Sequence, residues 1–448
     1  MSPLRDSMGD QTLVLGAGAT GMSVARWLHR HGRRAVFADT RSRVDVTGIR
    51  AALPDVEVVT EAGPDVLDGK SEIIVSPGIA DHEPLVAAGK ARGIPMYSDI
   101  AIFASEAMAP IVAITGTNGK STVVSLLAHM CRQADVNFAA GGNLGTPALD
   151  LPALADDGVY LLELSSFQLA RTRNLELQCA CVLNVEPDHL DWHGSFDAYR
   201  DAKLSIYRNC AYAVIPADIE WPVDRIDPDA VQMTFGDTPP RDRRSVGVVE
   251  HNGKRFWCAG EEPVLAVDEA ALVGEHNVLN VAAALAIGSS IDLPLSAMTA
   301  AIRSFPGLDH RHQLVANLDG IRYVDDSKAT NCAAALASAS AVSGPVVLLA
   351  GGLGKGEDYD AFVAALPANV IHVVAYGALA STLQAALRKY DRSFSGVDSL
   401  DAAVDAATRV SSTGDTVLLA PAAASQDAYR NYIERGCHFR TLVEAIKS

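Results

Sequence analysis

Residues 110–122 read PIVAITGTNGKST, an apolar run, a Gly-rich turn, a lysine and two hydroxyl side chains. The order predicts a buried strand, a tight loop and the start of a helix. Glycines at 116 and 119 let backbone N–H groups turn inward around phosphate oxygens. The following helix adds the positive end of its dipole. Lys120 is placed to reach β- and γ-phosphates, and the Ser121 hydroxyl to bind Mg²⁺. The candidate nucleotide cradle is therefore Gly116, Thr117, Asn118, Gly119, Lys120, Ser121 and Thr122. It departs from the standard phosphate loop, which needs Gly at the position held by Ile114.

Outward from this stretch, short apolar runs alternate with amphipathic ones, as in repeated βα units with parallel sheets. Upstream lie TLVLGAG (12–18), a helical stretch from about Thr20 to His31, AVFAD (35–39), EIIVS (72–76) and IPMYSD (94–99). Gly16, Gly18 and Gly21 with Asp39 form a dinucleotide-type fingerprint. The pattern reports a helix N-terminus near a phosphate, and NAD is only one owner of such a phosphate. Downstream come VYLLELSS (159–166), ACVLNV (180–185), a more polar segment at about 217–270, and helices from Asn277 and Pro294. SFPGLDHR (304–311) reads as a linker. After it, IRYVDDSK (321–328), VVLLAGG (346–352), VIHVVAYG (370–377) and TVLLAPA (416–422) each end where a loop begins. The expected fold is α/β in three domains, 1–97, 98–305 and 306–448. The first and last are Rossmann-like, and the central one is a parallel-sheet ATPase-like domain.

The 448 residues are 49% hydrophobic and 20% charged, with a net charge of −17. Such a chain repels nucleic acid and anionic membranes at long range. An anionic small substrate then needs locally gathered cations or a metal ion. The seven cysteines include no C-x-x-C pair and lie mostly in apolar runs, as buried thiols of a reducing compartment do. The polar N-terminus and the lack of a spanning apolar run predict a cytoplasmic protein.

Glu163 ends an apolar strand and precedes two serines; either it is a strand-end carboxylate in water or a cation such as Mg²⁺ offsets its burial. NVEPDHLDWHGS (184–195) gathers Asp188, His189, Asp191 and His193, but without cysteine or a zinc spacing. DDSKATN (325–331), GGLGKGED (351–358) and HRH (310–312) place Lys328, Lys355 and Arg311 in three loops. Each alone is a solvated loop, but together, in so acidic a chain, they point to an anionic ligand.

These motifs together resemble the Mur ligases, through essentially the whole chain. G-T-N-G-K-S stands at 116–121, G-G-N-x-G at 141–145, L-E-L-S-S-F-Q-L at 162–169, D-H-x-D at 188–191 and A-K at 202–203. G-x-H-N follows at 274–277, H-R at 310–311, D-S-K-A-T-N at 326–331 and A-S-x-D at 424–427. The third and eighth favour the branch that adds D-glutamate to UDP-N-acetylmuramoyl-L-alanine. The resemblance implies that ATP phosphorylates the substrate carboxylate and that the amine of D-glutamate displaces phosphate from the acyl phosphate, in peptidoglycan precursor synthesis. It implies ATP and two Mg²⁺ ions as cofactors and small molecules as the partners of an enzyme expected to be a monomer.

By the same resemblance Lys120 holds the γ-phosphate. Ser121 and Glu163 bind one Mg²⁺, His189 helps with a second, and Lys203 matches a carbamylated lysine. Asn277, Asn280, Arg311 and Asp326 match nucleotide-holding positions. Thr20, Asp39, Thr40, Arg41, Ser76 and Asn143 resemble the grip on the UDP-sugar, so the first Gly-rich turn faces that ligand instead of NAD. Lys328, Thr330, Lys355, Ser425 and Tyr429 resemble the surroundings of the incoming amino acid. Ala420, Ala423, Tyr429, His312, Ala19 and Leu353 depart from the commoner residues around these pockets. The rivals are another Mur-type or folylpolyglutamate-type ligase, an NAD-dependent oxidoreductase, which leaves Lys120, Glu163 and Lys328 without roles, and a non-catalytic nucleotide-binding regulator.

Overall fold

The computed structural model describes residues 12–143, 145–173, 175–219, 225–272, 274–354 and 356–446. The chain divides into two compact units, one of 1–272 with 276–305 and one of 273–275 with 306–448. Among the described residues no helix is long and apolar enough to cross a membrane.

The first unit holds two sheets. In the smaller, Thr12–Leu15 lies between Val36–Asp39 and Glu72–Val75, with Glu57–Thr60 and Met96–Tyr97 at the edges, all parallel. Strands buried on both faces carry apolar runs, LVL at 13–15 and IIV at 73–75, because helices cover both sides, and before them the buried Thr12 hydroxyl donates to the buried Glu72 carboxylate at 2.7 Å. The strand order reverses beside Thr12–Leu15, which opens a crevice at its carboxyl end. The helix Ala19–Arg30 starts there and buries Val24, Ala25, Trp27 and Leu28. A Cβ at Gly21 would lie 2.2 Å from the Gly16 carbonyl oxygen, so only glycine lets the helix approach the turn this closely.

In the larger sheet Ile111–Thr115 lies between Val159–Glu163 and Leu177–Val182. Phe138–Gly142 flanks the first of these, and Cys210–Pro216, Val231–Phe235 and Ser245–His251 continue beyond the second, all parallel. The polar segment read as weakly patterned carries strands of its own. Lys254–Ala259 and Glu262–Ala266 extend the sheet antiparallel, so the βα repeat stops there. The reason is local: Asn252 and Gly253 both have positive φ, 53° and 75°, which suits a two-residue hairpin. Helices Lys120–Gln133, Glu275–Ser290 and Leu295–Ser304 match the expected helical stretches.

The second unit has one sheet, in which Ile321–Asp325 lies between Gln313–Leu318 and Thr416–Leu419. Val346–Gly351, Val370–Tyr376 and Phe394–Gly396 follow in order. All pairings are parallel except that of the edge strand Gln313–Leu318, which the sequence pattern did not reveal.

Candidate active site

Because Ile111–Thr115 is flanked by Val159–Glu163 and Leu177–Val182, the loops after these three strands meet. The helix Lys120–Gln133 has no side-chain cap at Gly119, where φ is +84°. The positive end of the helix dipole there favours an anion. A Cβ at Gly119 would come within 2.4 Å of Asn280 Oδ1, so the residue must be glycine for space as well as for φ. Asn280, buried, donates to Asn277 Oδ1 at 2.9 Å. Both expected nucleotide asparagines thus stand with the loop.

The Lys120 ammonium donates to the carbonyls of Gly116 and Thr117, at 2.7 and 2.8 Å. The Ser121 hydroxyl donates to Glu163 Oε2 at 2.6 Å, and Asn143 Nδ2 donates to Oε1 at 2.8 Å. Glu163 is buried, and these two hydrogen-bond donors are neutral. Lys203, buried on the helix Phe196–Leu204, donates to the Gly116 carbonyl at 2.7 Å, and its ammonium lies 4.7 Å from the Tyr199 ring centre. Burial, and next the charge of Lys120, brings its amine down to about 7, against the opposing pull of Asp188 and Glu163.

The loop is also stitched to residues not singled out beforehand. Asn184 Oδ1 accepts the Asn118 N–H at 2.8 Å, Glu186 Oε2 accepts Asn118 Nδ2 at 3.1 Å, and Tyr199 OH lies 2.9 Å from Thr117 Oγ1. The one available signal was the position of Asn184 and Glu186 just past an apolar strand. His189 is exposed, in a left-handed conformation (φ 50°), with its ring 4.8 Å from that of Phe167 and Nε2 3.5 Å from Asp188 Oδ2. Among the described residues no three His, Cys, Asp or Glu side chains converge as a metal cluster would.

At the smaller sheet Asp39 Oδ2 accepts the Ala17 N–H at 2.9 Å, and both carboxylate oxygens accept from the Arg41 guanidinium at 2.8 Å. The Arg41 hydrogen bonds, aided by the Ala17 N–H, hold the Asp39 carboxyl down at about 2. Thr20 lies in the first turn of the helix, Thr40 is exposed, and the Ser76 hydroxyl donates to the Gly16 carbonyl at 3.2 Å. These residues share one sheet edge, whereas Asn143 belongs to the other sheet, beside Glu163. Arg171 links the two sheets. It donates to the Ser76 carbonyl at 3.3 Å, to Asp81 at 2.9 Å and to the Ile79 carbonyl.

In the second unit Asp326 donates its N–H to the Leu419 carbonyl at 2.8 Å, and Ala422 donates to the Ala329 carbonyl at 3.0 Å. Burial pushes the Asp326 carboxyl up to about 6, while Ser338 and Arg311 pull it down. Lys328 Nζ lies 4.4 Å from the Tyr432 ring centre, and Thr330 follows with its N–H on the Lys328 carbonyl at 2.7 Å. Leu353 and Ala424 exchange N–H···O bonds of 2.9 and 3.0 Å, which brings the GGLG loop to Ser425. The buried Arg435 fastens these loops through the carbonyls of Ser327, Ala423 and Ala424. The Tyr429 hydroxyl is 2.8 Å from His438 Nδ1, its ring packs against the core, and its N–H donates to the Ser425 carbonyl at 2.9 Å. Lys355 lies outside the described residues.

Residues 10–98 match the Mur ligase MurD-like N-terminal domain, 114–288 the Mur ligase middle domain and 310–423 the glutamate ligase domain of Mur ligases. The chain belongs to the Mur ligase family. A UDP-N-acetylmuramoylalanine--D-glutamate ligase of Nitrosococcus oceani is 40% identical over 453 positions, covering 100% of this chain and 99% of the relative. One of Pseudomonas savastanoi pv. phaseolicola is 40% identical over 97% of this chain and 98% of the relative. Among solved structures, the UDP-N-acetylmuramate-alanine ligase MurC of Thermotoga maritima shares the fold, with a TM-score of 0.62, 18% identity and coverage of 97% and 99%.

For a Mur ligase the first Gly-rich turn has no need of NAD. This chain is an ATP-dependent, ADP-forming amide ligase.

Proposed function

We propose that this Mur ligase joins the amine of D-glutamate to the alanyl carboxylate of UDP-N-acetylmuramoyl-L-alanine, in peptidoglycan precursor synthesis. The relatives of that name span the whole chain. The observation that carries the chemistry is the buried Ser121–Glu163 pair at the mouth of the Lys120 loop. A substrate carboxylate oxygen attacks the γ-phosphorus of ATP, and the bond to the bridging oxygen breaks to release ADP. The D-glutamate nitrogen then attacks the acyl carbon, phosphate leaves, and the nitrogen gives up a proton.

Such transfer asks the protein mainly for positioning and charge stabilisation. Lys120 and the uncapped first-turn N–H groups receive the γ-phosphate charge. Glu163, whose hydrogen-bond donors are neutral, and the Ser121 hydroxyl form the sparse hard-oxygen set that Mg²⁺ prefers. Mg²⁺ held there supplies charge neutralisation on the phosphates. A second ion is assigned to His189 and Lys203. With its amine near 7, Lys203 is unprotonated often enough at neutral pH to attack CO₂ and become an anionic carbamate. Asn277, Asn280, Arg311 and Asp326 take the rest of the nucleotide. Thr20, Asp39, Thr40, Arg41, Ser76 and Asn143 take the UDP-sugar, and Lys328, Thr330, Lys355, Ser425 and Tyr429 the amino acid. On this reading the protein acts in the cytoplasm as a monomer, with domains at 1–97, 98–305 and 306–448.

The test is phosphate release with ATP, Mg²⁺ and UDP-N-acetylmuramoyl-L-alanine, comparing D-glutamate with L-glutamate and other amino acids, with the product weighed by mass spectrometry. Release that requires D-glutamate is expected. Release with a different amino acid overturns the specificity, and none with any amino acid overturns the activity.

A further inference from the structure

Six of the seven cysteines are withdrawn from solvent to some degree, and Cys437 alone is exposed. It sits on the helix Tyr432–Ile446 with its sulfur 3.7 Å from His310 Nε2. His310 is 3% exposed, and the other ring nitrogen, Nδ1, is 2.6 Å from Oδ2 of the fully buried Asp325. Asp325 is itself fixed, since its Oδ1 accepts the Ser327 N–H at 2.9 Å. The ring lies so close to the helix that a Cβ at Gly436 would fall 2.2 Å from His310 Nδ1. A carboxylate orients a base, and the base faces a nucleophile, all inside the second unit. This is the order of parts that activates thiols in unrelated proteins.

We propose that Cys437 is a modification site, a thiol activated by His310 and Asp325 that forms mixed disulfides with small disulfides of the glutathione class. The Cys437 thiol passes its proton to His310 Nε2 as its sulfur attacks one sulfur of the disulfide. The old S–S bond breaks, a Cys437–S–S–R bond forms, and the departing thiolate takes up a proton. No other oxidant is needed. An exposed sulfur beside a base is also the setting in which reversible thiol oxidation is selective.

Neither the ligase reading nor any substrate enters the test. The full-length protein is treated with oxidised glutathione, and modification at each cysteine is followed by peptide mass spectrometry. Cys437 is expected to react roughly tenfold or more faster in the native protein than in the same chain unfolded in urea at the same pH, as an oriented general base provides. His310→Gln and, separately, Asp325→Asn are expected to remove that advantage while circular dichroism shows a folded chain. Cys437→Ser should abolish the fast phase. A native Cys437 that reacts no faster than in urea overturns the proposal without any variant having to fold. So does a folded His310→Gln protein that keeps the full rate.

Discussion

Lys203 is a cation that the fold holds out of water, and replacing it should make the protein more stable as it makes it inactive. The folded-state amine titrates at about 7 against an ordinary 10.5, with burial as the first cause. The gap of about 3.5 pH units, at about 1.4 kcal/mol each, corresponds to about 5 kcal/mol favouring the unfolded chain wherever both states are protonated. Lys203→Met removes that penalty and one of the two donors to the Gly116 carbonyl, which keeps Lys120, at a cost of about 1 kcal/mol. A further discount for residual solvation leaves a net gain of about 2–3 kcal/mol at pH 6–7.

The sign with pH follows from proton counting. Between about 7 and 10.5 the unfolded chain binds the proton and the folded one does not, so wild-type stability rises with pH through that window and the variant's does not. The chain's four tryptophans all lie between residues 27 and 257, so their fluorescence during urea unfolding reports on the first unit. The buffers must be free of CO₂, so that the amine itself is compared. The reasoning is refuted if Lys203→Met is less stable than wild type at pH 7 and both share one pH slope between 7 and 9. In the same preparation, phosphate release should be lost.

Lys120→Ala should lower turnover by roughly 10²–10³ with the fold intact, as loss of a transition-state charge partner does; near-normal phosphate release would remove its role. Glu163→Gln keeps the bond geometry to Ser121 but loses the charge, and the Mg²⁺ concentration needed for half-maximal activity should rise at least about tenfold. Gly119→Ala combines a φ of +84° with an overlap on Asn280, so ATP binding measured by calorimetry should fall and stability drop by about 1–3 kcal/mol. Asp39→Asn should cost about 1 kcal/mol at pH 7, discounted because the Arg41 side chain is 62% exposed. The Asp39 carboxyl is held at about 2, so that contribution is complete above about pH 4 and gone as pH falls through 2; equal urea midpoints for the variant and wild type at pH 7 would count against it.

The parallel cores were legible because strands buried on both faces carry apolar runs, such as LVL in TLVL, IIV in EIIV, IVAI in IVAIT and VVLLAG. Glu57–Thr60 and Gln313–Leu318 escaped because edge strands are half solvated and need no such run. The hairpin after Ser245 escaped because its two strands alternate weakly, although Asn252-Gly253 announced the turn. Among site residues, Lys120 and Ser121 declare themselves through fixed spacing to glycines. Lys203 does not, since its environment comes from Thr115, Gly116 and Tyr199, two of them more than 80 positions away in sequence. The His310–Asp325–Cys437 chain is equally silent, because it joins positions 15 and 127 residues apart.

Each of the three sheets buries a carboxylate at the carboxyl end of a strand, and the company each keeps distinguishes their uses. Asp39 is closed by the Arg41 fork and a backbone N–H, so its charge is already answered and it serves to hold the Gly-rich turn. Asp325 is answered by an imidazole and a backbone N–H, which fixes a base instead of a ligand. Glu163 alone of the three accepts its hydrogen bonds from neutral groups, Ser121 and Asn143. A buried anion whose hydrogen bonds come from neutral dipoles, with Lys203 acting on it through charge alone, retains a preference for a cation. Lys120 and Lys203 each donate hydrogen bonds to loop carbonyls. The site that binds metal should therefore be the one whose carboxylate the fold leaves electrostatically unfinished, and the same deficit should make Glu163→Gln more stable than wild type in metal-free buffer.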